Sequence, residues 1–172
     1  MKTFRFLAII ALTMAFAGCS TLAAYRAESE AESAAYVAEA LNTGNIKFEV
    51  NYIIPSRGQA RYSQDGYYLK IVDGKADSHL PFFGVSYQSN PYGNEPSGIR
   101  FDECPVQIDD SRSRPEKGQY VWRFVALSGK ERVAVTLEFN TNGTARLQCN
   151  PVNRSNMSYN GNIVTLEEKK KK

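Results

Sequence analysis

Short stretches in which polar and apolar residues alternate, separated by tight turns, constrain the fold of this chain more than any other feature. The first stretch begins at Asn45 and places every second side chain on one face: Ile46, Phe48, Val50, Tyr52 and Ile54. A later stretch does the same with Val133, Val135, Leu137 and Phe139. A period of two is the signature of a half-buried β-strand.

Turn signals recur between these stretches, and each supplies a residue that tolerates the positive φ of a two-residue hairpin turn. They are Asp65-Gly66, Asp73-Gly74, Ser128-Gly129, Asn142-Gly143 and Asn160-Gly161. The segments between them predict further strands at 67–72, 75–80, 119–127, 131–139, 144–149 and 157–164. Residues 89–98 and 109–118 carry proline, glycine or many charges, and they predict exposed connecting loops. Many short strands joined by tight turns predict an antiparallel sandwich or barrel.

The first 18 residues have the layout of a secretory signal. Lys2 and Arg5 are followed by the uncharged run 6–17 and by small residues around Cys19. The apolar run is shorter than the roughly 20 residues that span a bilayer, so it predicts a segment that is cleaved off. Phe16-Ala17-Gly18-Cys19 resembles the lipobox of bacterial lipoproteins. That resemblance implies that the chain is cleaved before Cys19 and that Cys19 then carries acyl chains such as palmitate. These acyl chains would anchor the protein stably in a membrane.

The sequence therefore divides into four parts. Residues 1–18 are the predicted lipoprotein signal peptide, and 19–44 are a lipidated N-terminus with an Ala- and Glu-rich helical tether. Residues 45–166 are the β-domain, and 167–172 are a basic disordered tail. Because residues 20–24 lack an acidic cluster like that of surface-exported lipoproteins, the predicted location is the outer membrane, facing the periplasm; surface display is the alternative.

The charge balance argues against nucleic acid as a partner. The formal net charge of +3 includes Lys2 and Arg5 of the signal and four lysines in the tail. Residues 45–166 contain 14 basic and 12 acidic side chains, so the domain is nearly neutral. No run of arginines or lysines forms the basic stripe that nucleic-acid binding requires.

Several motifs resemble those of small lipoproteins of Bacteroidota, domain-of-unknown-function family four-two-five-one. They are the segments 48–52, 55–58, 80–87, 91–93, 98–101 and 153–161. The resemblance extends over residues 30 to 165 and implies an all-β fold, a single lipocalin-like antiparallel barrel of about eight strands. It implies no activity, because the family has none assigned.

An aromatic and polar cluster is predicted at one end of this barrel, because Pro81 and Gly84 favour a bend there. Its members are Phe82, Phe83, Tyr87, Tyr92, Arg154 and Tyr159. The aromatic side chains either close the core or line a ligand-binding opening. Arg154 either anchors a structural polar network or binds a ligand.

Catalytic and metal-binding patterns are weak. His79 is the one histidine, and Asp77 shares its face of the predicted strand, but a nucleophile and an orienting partner are not evident. No spacing of His and Cys suits a metal, and no cofactor is predicted. Besides Cys19, the chain contains Cys104 and Cys149. These two cysteines either form a disulfide in the oxidising periplasm or are buried free thiols. We favour the disulfide as a hypothesis.

The function expected from sequence is that of a lipid-anchored envelope protein. The leading prediction is a non-catalytic barrel that binds a small hydrophobic ligand or an envelope protein, with the membrane as its partner through Cys19. The alternatives are a structural component of an outer-membrane complex and an envelope hydrolase that uses His79. The state of the barrel interior, filled or hollow, discriminates between a ligand-binding cavity and an interaction surface.

Overall fold

Nine β-strands account for most of the residues that the structure describes. It is a computed structural model that describes residues 28, 31–63, 66–87 and 98–166. The strands, β1 to β9 in chain order, are Ile46–Pro55, Arg61–Tyr62, Tyr68–Val72, Lys75–Leu80, Ile99–Pro105, Gln119–Ser128, Glu131–Asn140, Thr144–Pro151 and Met157–Val164. Those predicted from alternation all form, each within a few residues of the expected bounds.

Eight of the strands follow one antiparallel path in the order β5-β4-β3-β1-β9-β8-β7-β6, and β2 pairs beside β1. The two ends of the path meet through side chains. The backbone N–H of Arg100 on β5 donates to Ser128 Oγ on β6 at 3.1 Å, and Leu127 N–H donates to Cys104 Sγ at 3.4 Å. The predicted fold class is confirmed, since the strands form a nearly closed antiparallel barrel.

The barrel interior is filled by side chains from every long strand. Phe48, Leu69, Phe101, Leu137 and Tyr159 are all fully buried in one continuous apolar cluster. Close packing of large side chains is the ordinary way for a small barrel to complete its core. Of the two possibilities that the sequence leaves open, a filled or a hollow interior, the described side chains form the filled one.

The Asp73-Gly74 signal forms the predicted tight turn between β3 and β4. Asp73 has a φ of 50° and Gly74 a φ of 72°, the two positive values that a type I′ turn needs. Gly129 and Gly143 also have positive φ at the turns that follow β6 and β7. Turn chemistry therefore predicted these hairpins correctly.

The prediction of a turn at Asn160-Gly161 is wrong, because both residues lie inside β9. Gly161 pairs with Val50 on β1, where a Cβ at position 161 would overlap the Glu49 carbonyl oxygen. Glycine is required here because the two backbones approach too closely for any side chain. A glycine that makes a turn and one that admits a neighbouring strand look alike in a single sequence.

A bulge in β1 changes the direction of its second half. The pairing with β9 shifts between Val50 and Tyr52, so Ile53 becomes buried and Tyr52 is 49% exposed. The alternating pattern had predicted Tyr52 and Ile54 on the face of Val50. A bulge inserts one residue into the ladder and reverses the faces beyond it, which strict alternation does not anticipate.

Two features between β4 and β6 were missed. Strand β5 interrupts its own alternation with a bulge at Glu103, which has a φ of 44°. The segment 109–118, predicted as a connecting loop, instead forms an ordered hairpin with the start of β6. Asp109 pairs with Arg123 through two backbone hydrogen bonds of 2.8 and 2.9 Å, and Arg114 pairs with Gln119.

An α-helix, α1, occupies residues 31–43 before β1. From Ser33 onward the chain forms one compact unit, and Val37 and Ala40 of α1 are 2% exposed within its core. This part of the predicted tether therefore belongs to the packed domain, which begins earlier than residue 45. Among the described helical residues, none forms an apolar helix long enough to cross a membrane. The predicted signal peptide, Cys19 and the tail 167–172 lie outside the described residues.

Candidate functional site

The described residues form a groove on the outer face of the barrel. Its volume is about 1210 Å³, which exceeds the roughly 300–1,000 Å³ of most small-molecule pockets. We call it the arginine groove. Its lining residues are Asn51, Tyr52, Ser111, Arg112, Ser113, Arg114, Gln119, Tyr120, Val121, Arg123, Thr136, Glu138, Phe139, Asn140, Thr144, Ala145, Arg146, Gln148, Asn160 and Gly161.

The floor of the arginine groove is built from side chains that alternate with the core. One row crosses five neighbouring strands, and strand register places its members opposite one another: Val121, Glu138, Arg146, Asn160 and Tyr52. A second row begins with Arg123, Thr136 and Gln148. With strands about 4.8 Å apart, the first row is about 19 Å long, so the floor is elongated across the strands.

One wall of the groove is the hairpin segment 109–118, for which the sequence predicts a connecting loop. Ser113 Oγ accepts the backbone N–H of Val121 at 3.0 Å, which fixes this wall to β6. Ser111 N–H donates to Asp109 Oδ1 at 3.1 Å, and hydrogen bonds from Ser111 lower the pKa of the Asp109 carboxyl. Asp109 therefore stays ionised and faces Arg123, with Oδ2 3.7 Å from Nη2.

The other end of the groove is aromatic. Tyr52, which the β1 bulge turns outward, meets Tyr62 of β2 edge to face, with ring centroids 5.3 Å apart. Tyr62 is itself 65% exposed. Because an exposed aromatic face is a platform on which a ring can stack, the pair gives this end of the groove an apolar surface.

Sequence reasoning did not find this groove. Its residues come from β1, β6, β7, β8, β9 and the 109–118 hairpin, so they are scattered through the chain. Each residue alone is typical of the polar residues on the solvent face of a strand. The available signal was the set of polar residues that alternate with the buried ones, such as Thr136, Glu138 and Arg146. Strand order was needed to place them together.

The predicted barrel-end cluster is partly assembled. The Arg154 guanidinium lies over the Phe82 ring at 4.8 Å, and the buried Tyr159 hydroxyl donates to the Pro81 carbonyl at 2.7 Å. Phe83 points outward beneath Arg61, and Tyr87 is 70% exposed. Tyr92 lies outside the described residues. Phe82 and Tyr159 thus close the core at this end, and the two exposed rings are separate from it.

Arg154 is the centre of a buried polar network. Its Nε donates to Glu131 Oε2 at 2.7 Å, and its Nη1 donates to the Gly98 carbonyl at 2.9 Å. Glu131 Oε1 accepts the backbone N–H of Asn153 at 2.8 Å. Nη2 of Arg154 has no hydrogen-bond partner among the residues that the structure describes. The network connects β7, the β8–β9 connection and the start of β5, which supports the structural interpretation of Arg154.

His79 is exposed on β4, and its hydrogen-bond partner is a cation. Arg100 Nη2 lies 3.0 Å from His79 Nε2, and since arginine only donates, that nitrogen accepts. Tyr67 packs against the ring edge to face. Asp77 does share the outer face, where it accepts a hydrogen bond from Tyr68 at 3.4 Å. These contacts do not assemble a base with an orienting carboxylate and a nucleophile.

Cys104 and Cys149 are free thiols, so the structure does not support the disulfide hypothesis. Cys149 lies in the core on β8, and Cys104 is half-buried on β5 at the barrel seam. Burial raises the pKa of the Cys149 thiol to about 12, so it stays protonated at neutral pH. Burial also raises the pKa of the Tyr159 hydroxyl. Among the described residues, no three His, Cys, Asp or Glu side chains form a group that could hold a metal ion.

Comparisons with known proteins identify a family without an assigned activity. A family model described as Domain of unknown function (DUF4251) matches residues 28–163. No curated protein matches the chain. Among solved structures, the chain is similar to a crystal structure of a DUF4251 family protein from Bacteroides eggerthii, at 15% sequence identity and a TM-score of 0.51. That alignment covers 80% of this chain and 92% of the other, and the likeness is one of fold.

Proposed function

The chain belongs to the DUF4251 family, as its sequence motifs predicted, and from that premise we propose that it is a lipid-anchored binding protein of the bacterial envelope. Its binding surface is the arginine groove, and its ligand is an extended polar molecule. The observation that carries this proposal is the contrast between a filled barrel interior and an open groove of about 1210 Å³ lined mainly by polar side chains.

The filled interior argues against the small hydrophobic ligand expected from the sequence. A lipocalin-like barrel that binds such a ligand needs a cavity inside its strands. Here Phe48, Phe101, Leu147 and Tyr159 are fully buried in the space where that ligand would lie. Binding to the outer face requires no rearrangement of this core.

The groove suits binding better than catalysis. Its floor offers amides, hydroxyls and guanidinium groups, which are hydrogen-bonding groups for a polar ligand. Among the described residues that line the groove, Glu138 is the one carboxylate, and none is a histidine or a cysteine. A carboxylate pair, a histidine–hydroxyl pair and a thiolate are the usual sources of acid–base or nucleophilic chemistry.

A partner-binding surface is the second candidate. Val125 and Leu127 are 47% and 51% exposed on the outer face of β6, with Ala134 opposite Val125 on β7. This patch is small, and single exposed apolar residues are common on soluble domains. The groove is therefore the stronger candidate surface.

The binding proposal is tested by changing the groove floor without touching the core. The double substitution Gln148→Ala and Asn160→Ala removes two amides whose side chains face away from the core. We expect its affinity for polysaccharide extracted from the native envelope to fall about tenfold, since two hydrogen bonds contribute roughly 1–3 kcal/mol. Biolayer interferometry with the full chain in detergent measures this change. Lys130→Ala, in the turn after β6 and outside the groove, is the control. Equal affinity of the floor variant and the unchanged chain would reject the groove as the binding surface.

The membrane anchor is proposed on the lipobox resemblance at Cys19. Substitution Cys19→Ser removes the thiol that would accept diacylglycerol, so we expect the protein to lose radiolabelled palmitate completely. Most of it should also leave the outer-membrane fraction, because two or more acyl chains are what hold such a protein stably. Fractionation with a Ser20→Ala variant as control measures the effect. Palmitate incorporation that persists in Cys19→Ser would contradict the proposal.

A further inference from the structure

We infer that the arginine groove binds an acidic glycan, a chain of sugar rings that carries carboxylate, phosphate or sulfate groups. This inference rests on the proposed function and specifies its ligand. The acidic groups of the glycan would contact Arg112, Arg114 and Arg146. One of its sugar rings would stack on Tyr52 at the other end of the groove.

The first support is that three arginines of the groove form no close ion pair within the described part of the chain, although Asp109 lies near enough to attract Arg112 and Glu138 stands opposite Arg146 on the next strand. Arg123 is held by Asp109, with 3.7 Å between Nη2 and Oδ2. Arg112, Arg114 and Arg146 make no ion pair within 4.0 Å with any residue of the described part of the chain. Arg112 and Arg114 are exposed on the wall, and Arg146 is exposed on the floor. Their guanidinium groups are therefore available to an anionic ligand, and the planar fork of arginine matches carboxylate, phosphate and sulfate.

The second support is the distribution of charge over the domain. Four arginines and one glutamate line the groove. The rest of residues 45–166 then contains ten basic and eleven acidic side chains, out of 14 and 12 in all. The lining side chains therefore carry a net positive charge, of which the part on Arg123 is offset by Asp109 beside it. A cleft lined by one sign of charge attracts ligands of the opposite sign.

The third support comes from the groups that accompany the arginines. Asn160, Gln148 and Thr136 offer both donors and acceptors along the floor, as the hydroxyls of a sugar require. Glu138 lies opposite Arg146, and its carboxylate accepts hydrogen bonds only. It would accept hydrogen bonds from ligand hydroxyls.

The shape of the groove favours a chain over a single small molecule. The row from Val121 to Tyr52 crosses five strands and is about 19 Å long. An extended peptide is disfavoured on this floor, because β7, β8 and β9 each pair with a strand on both sides. Their backbone groups are therefore used within the sheet and do not offer the free edge to which a peptide strand adds.

The test is a direct comparison of four polymers with the full lipid-bearing chain in detergent. The acidic glycans are polygalacturonate, which carries carboxylates, and chondroitin sulfate, which also carries sulfates. The neutral glycan is dextran, and oligothymidylate is a polyanion whose charges lie on phosphates and whose chain has no pyranose rings. We expect the acidic glycans to bind at least tenfold more tightly than dextran and oligothymidylate. Binding of the acidic glycans should weaken as ionic strength rises from about 0.05 M to about 0.5 M, because exposed charges are screened.

The arginine contribution is isolated with matched variants. Arg146→Gln, and the double variant Arg112→Gln with Arg114→Gln, should each weaken acidic-glycan binding about tenfold, which corresponds to about 1.4 kcal/mol. Arg132→Gln is the control, since Arg132 is exposed on β7 but does not line the groove. The Arg132→Gln variant keeps all groove residues and the lysine tail. If its affinity for acidic glycans fell as much as that of the groove variants, the binding would be a general attraction to polyanions, and the inference would be rejected.

The outcomes separate this inference from the function on which it rests. If dextran binds as tightly as the acidic glycans and the floor variant Gln148→Ala with Asn160→Ala weakens both, the groove binds glycans but the acidic ligand is wrong. If oligothymidylate binds as tightly and the arginine variants weaken it equally, the ligand class is also wrong. If no groove variant changes the binding of any polymer, both the inference and the proposed function fail.

Discussion

Replacing Glu131 with alanine is expected to destabilise the barrel by about 3–5 kcal/mol, the usual cost of leaving a buried charge without its partner. The Arg154 side chain is 7% exposed and the Glu131 side chain 13%. Glu131→Ala removes the acceptor 2.7 Å from Arg154 Nε and the acceptor for the Asn153 backbone N–H. A native domain is stable by only about 5–15 kcal/mol, so urea unfolding should show a large decrease in the midpoint.

The companion variants distinguish charge pairing from simple loss of volume. Arg154→Met keeps an extended apolar side chain over Phe82 but leaves the Glu131 carboxylate without its cation, so it should also destabilise the barrel. The double variant should be more stable than Glu131→Ala alone, because the unpaired guanidinium is then absent. A double variant whose loss equals the sum of the two single losses would show that the pair is not energetically coupled.

Gly161→Ala is expected to destabilise the protein by about 3 kcal/mol or more, although it adds a single methyl group. Its Cβ would overlap the Glu49 carbonyl oxygen and lie 3.0 Å from the Phe48 ring. Because the overlap is with backbone, a rotamer change does not relieve it, and β1 must move away from β9. Inserting atoms into packed sites typically costs about 1–3 kcal/mol, and loss of ladder hydrogen bonds adds to that cost.

Gly66→Ala is the matched control for this substitution. No atom of the described, non-adjacent residues lies within 4 Å of a Cβ at Gly66, and its φ is outside the positive range. We expect it to be neutral or stabilising by up to about 1 kcal/mol, through a smaller entropy of the unfolded chain. Thermal unfolding followed by circular dichroism measures both variants. Similar melting temperatures for Gly161→Ala and Gly66→Ala would contradict the close approach of β1 and β9.

The Gly161 contact also supports the groove, so this substitution tests more than stability. The close pairing of Gly161 with Val50 precedes the bulge that turns Tyr52 outward. Tyr52 ends the row on the groove floor, and it pairs with Asn160, the residue before Gly161. Movement of β1 would therefore displace the aromatic end of the groove relative to Arg146.

The differences between the sequence predictions and the structure follow one pattern. Hairpins such as the one at Asp73-Gly74 were predicted because a turn depends on the φ angles of two adjacent residues. The bulge after Val50 and the role of Gly161 were not, because they depend on a pairing between β1 and β9, which are more than a hundred residues apart. Arg154 was singled out from its polar neighbours, but its partner Glu131 lies on another strand and was not identified.

The sequence by itself determined the class of fold, most strand positions and the hairpin turns, because alternation and turn chemistry are local properties of the chain. It also carried the family motifs and the predicted lipid attachment at Cys19. Only the tertiary structure decided that the interior is filled, that the 109–118 segment is a wall, and that Arg112, Arg114, Arg123 and Arg146 line one cleft. The physical reason is that strand order and register bring together side chains whose separation along the chain carries no information about their separation in space.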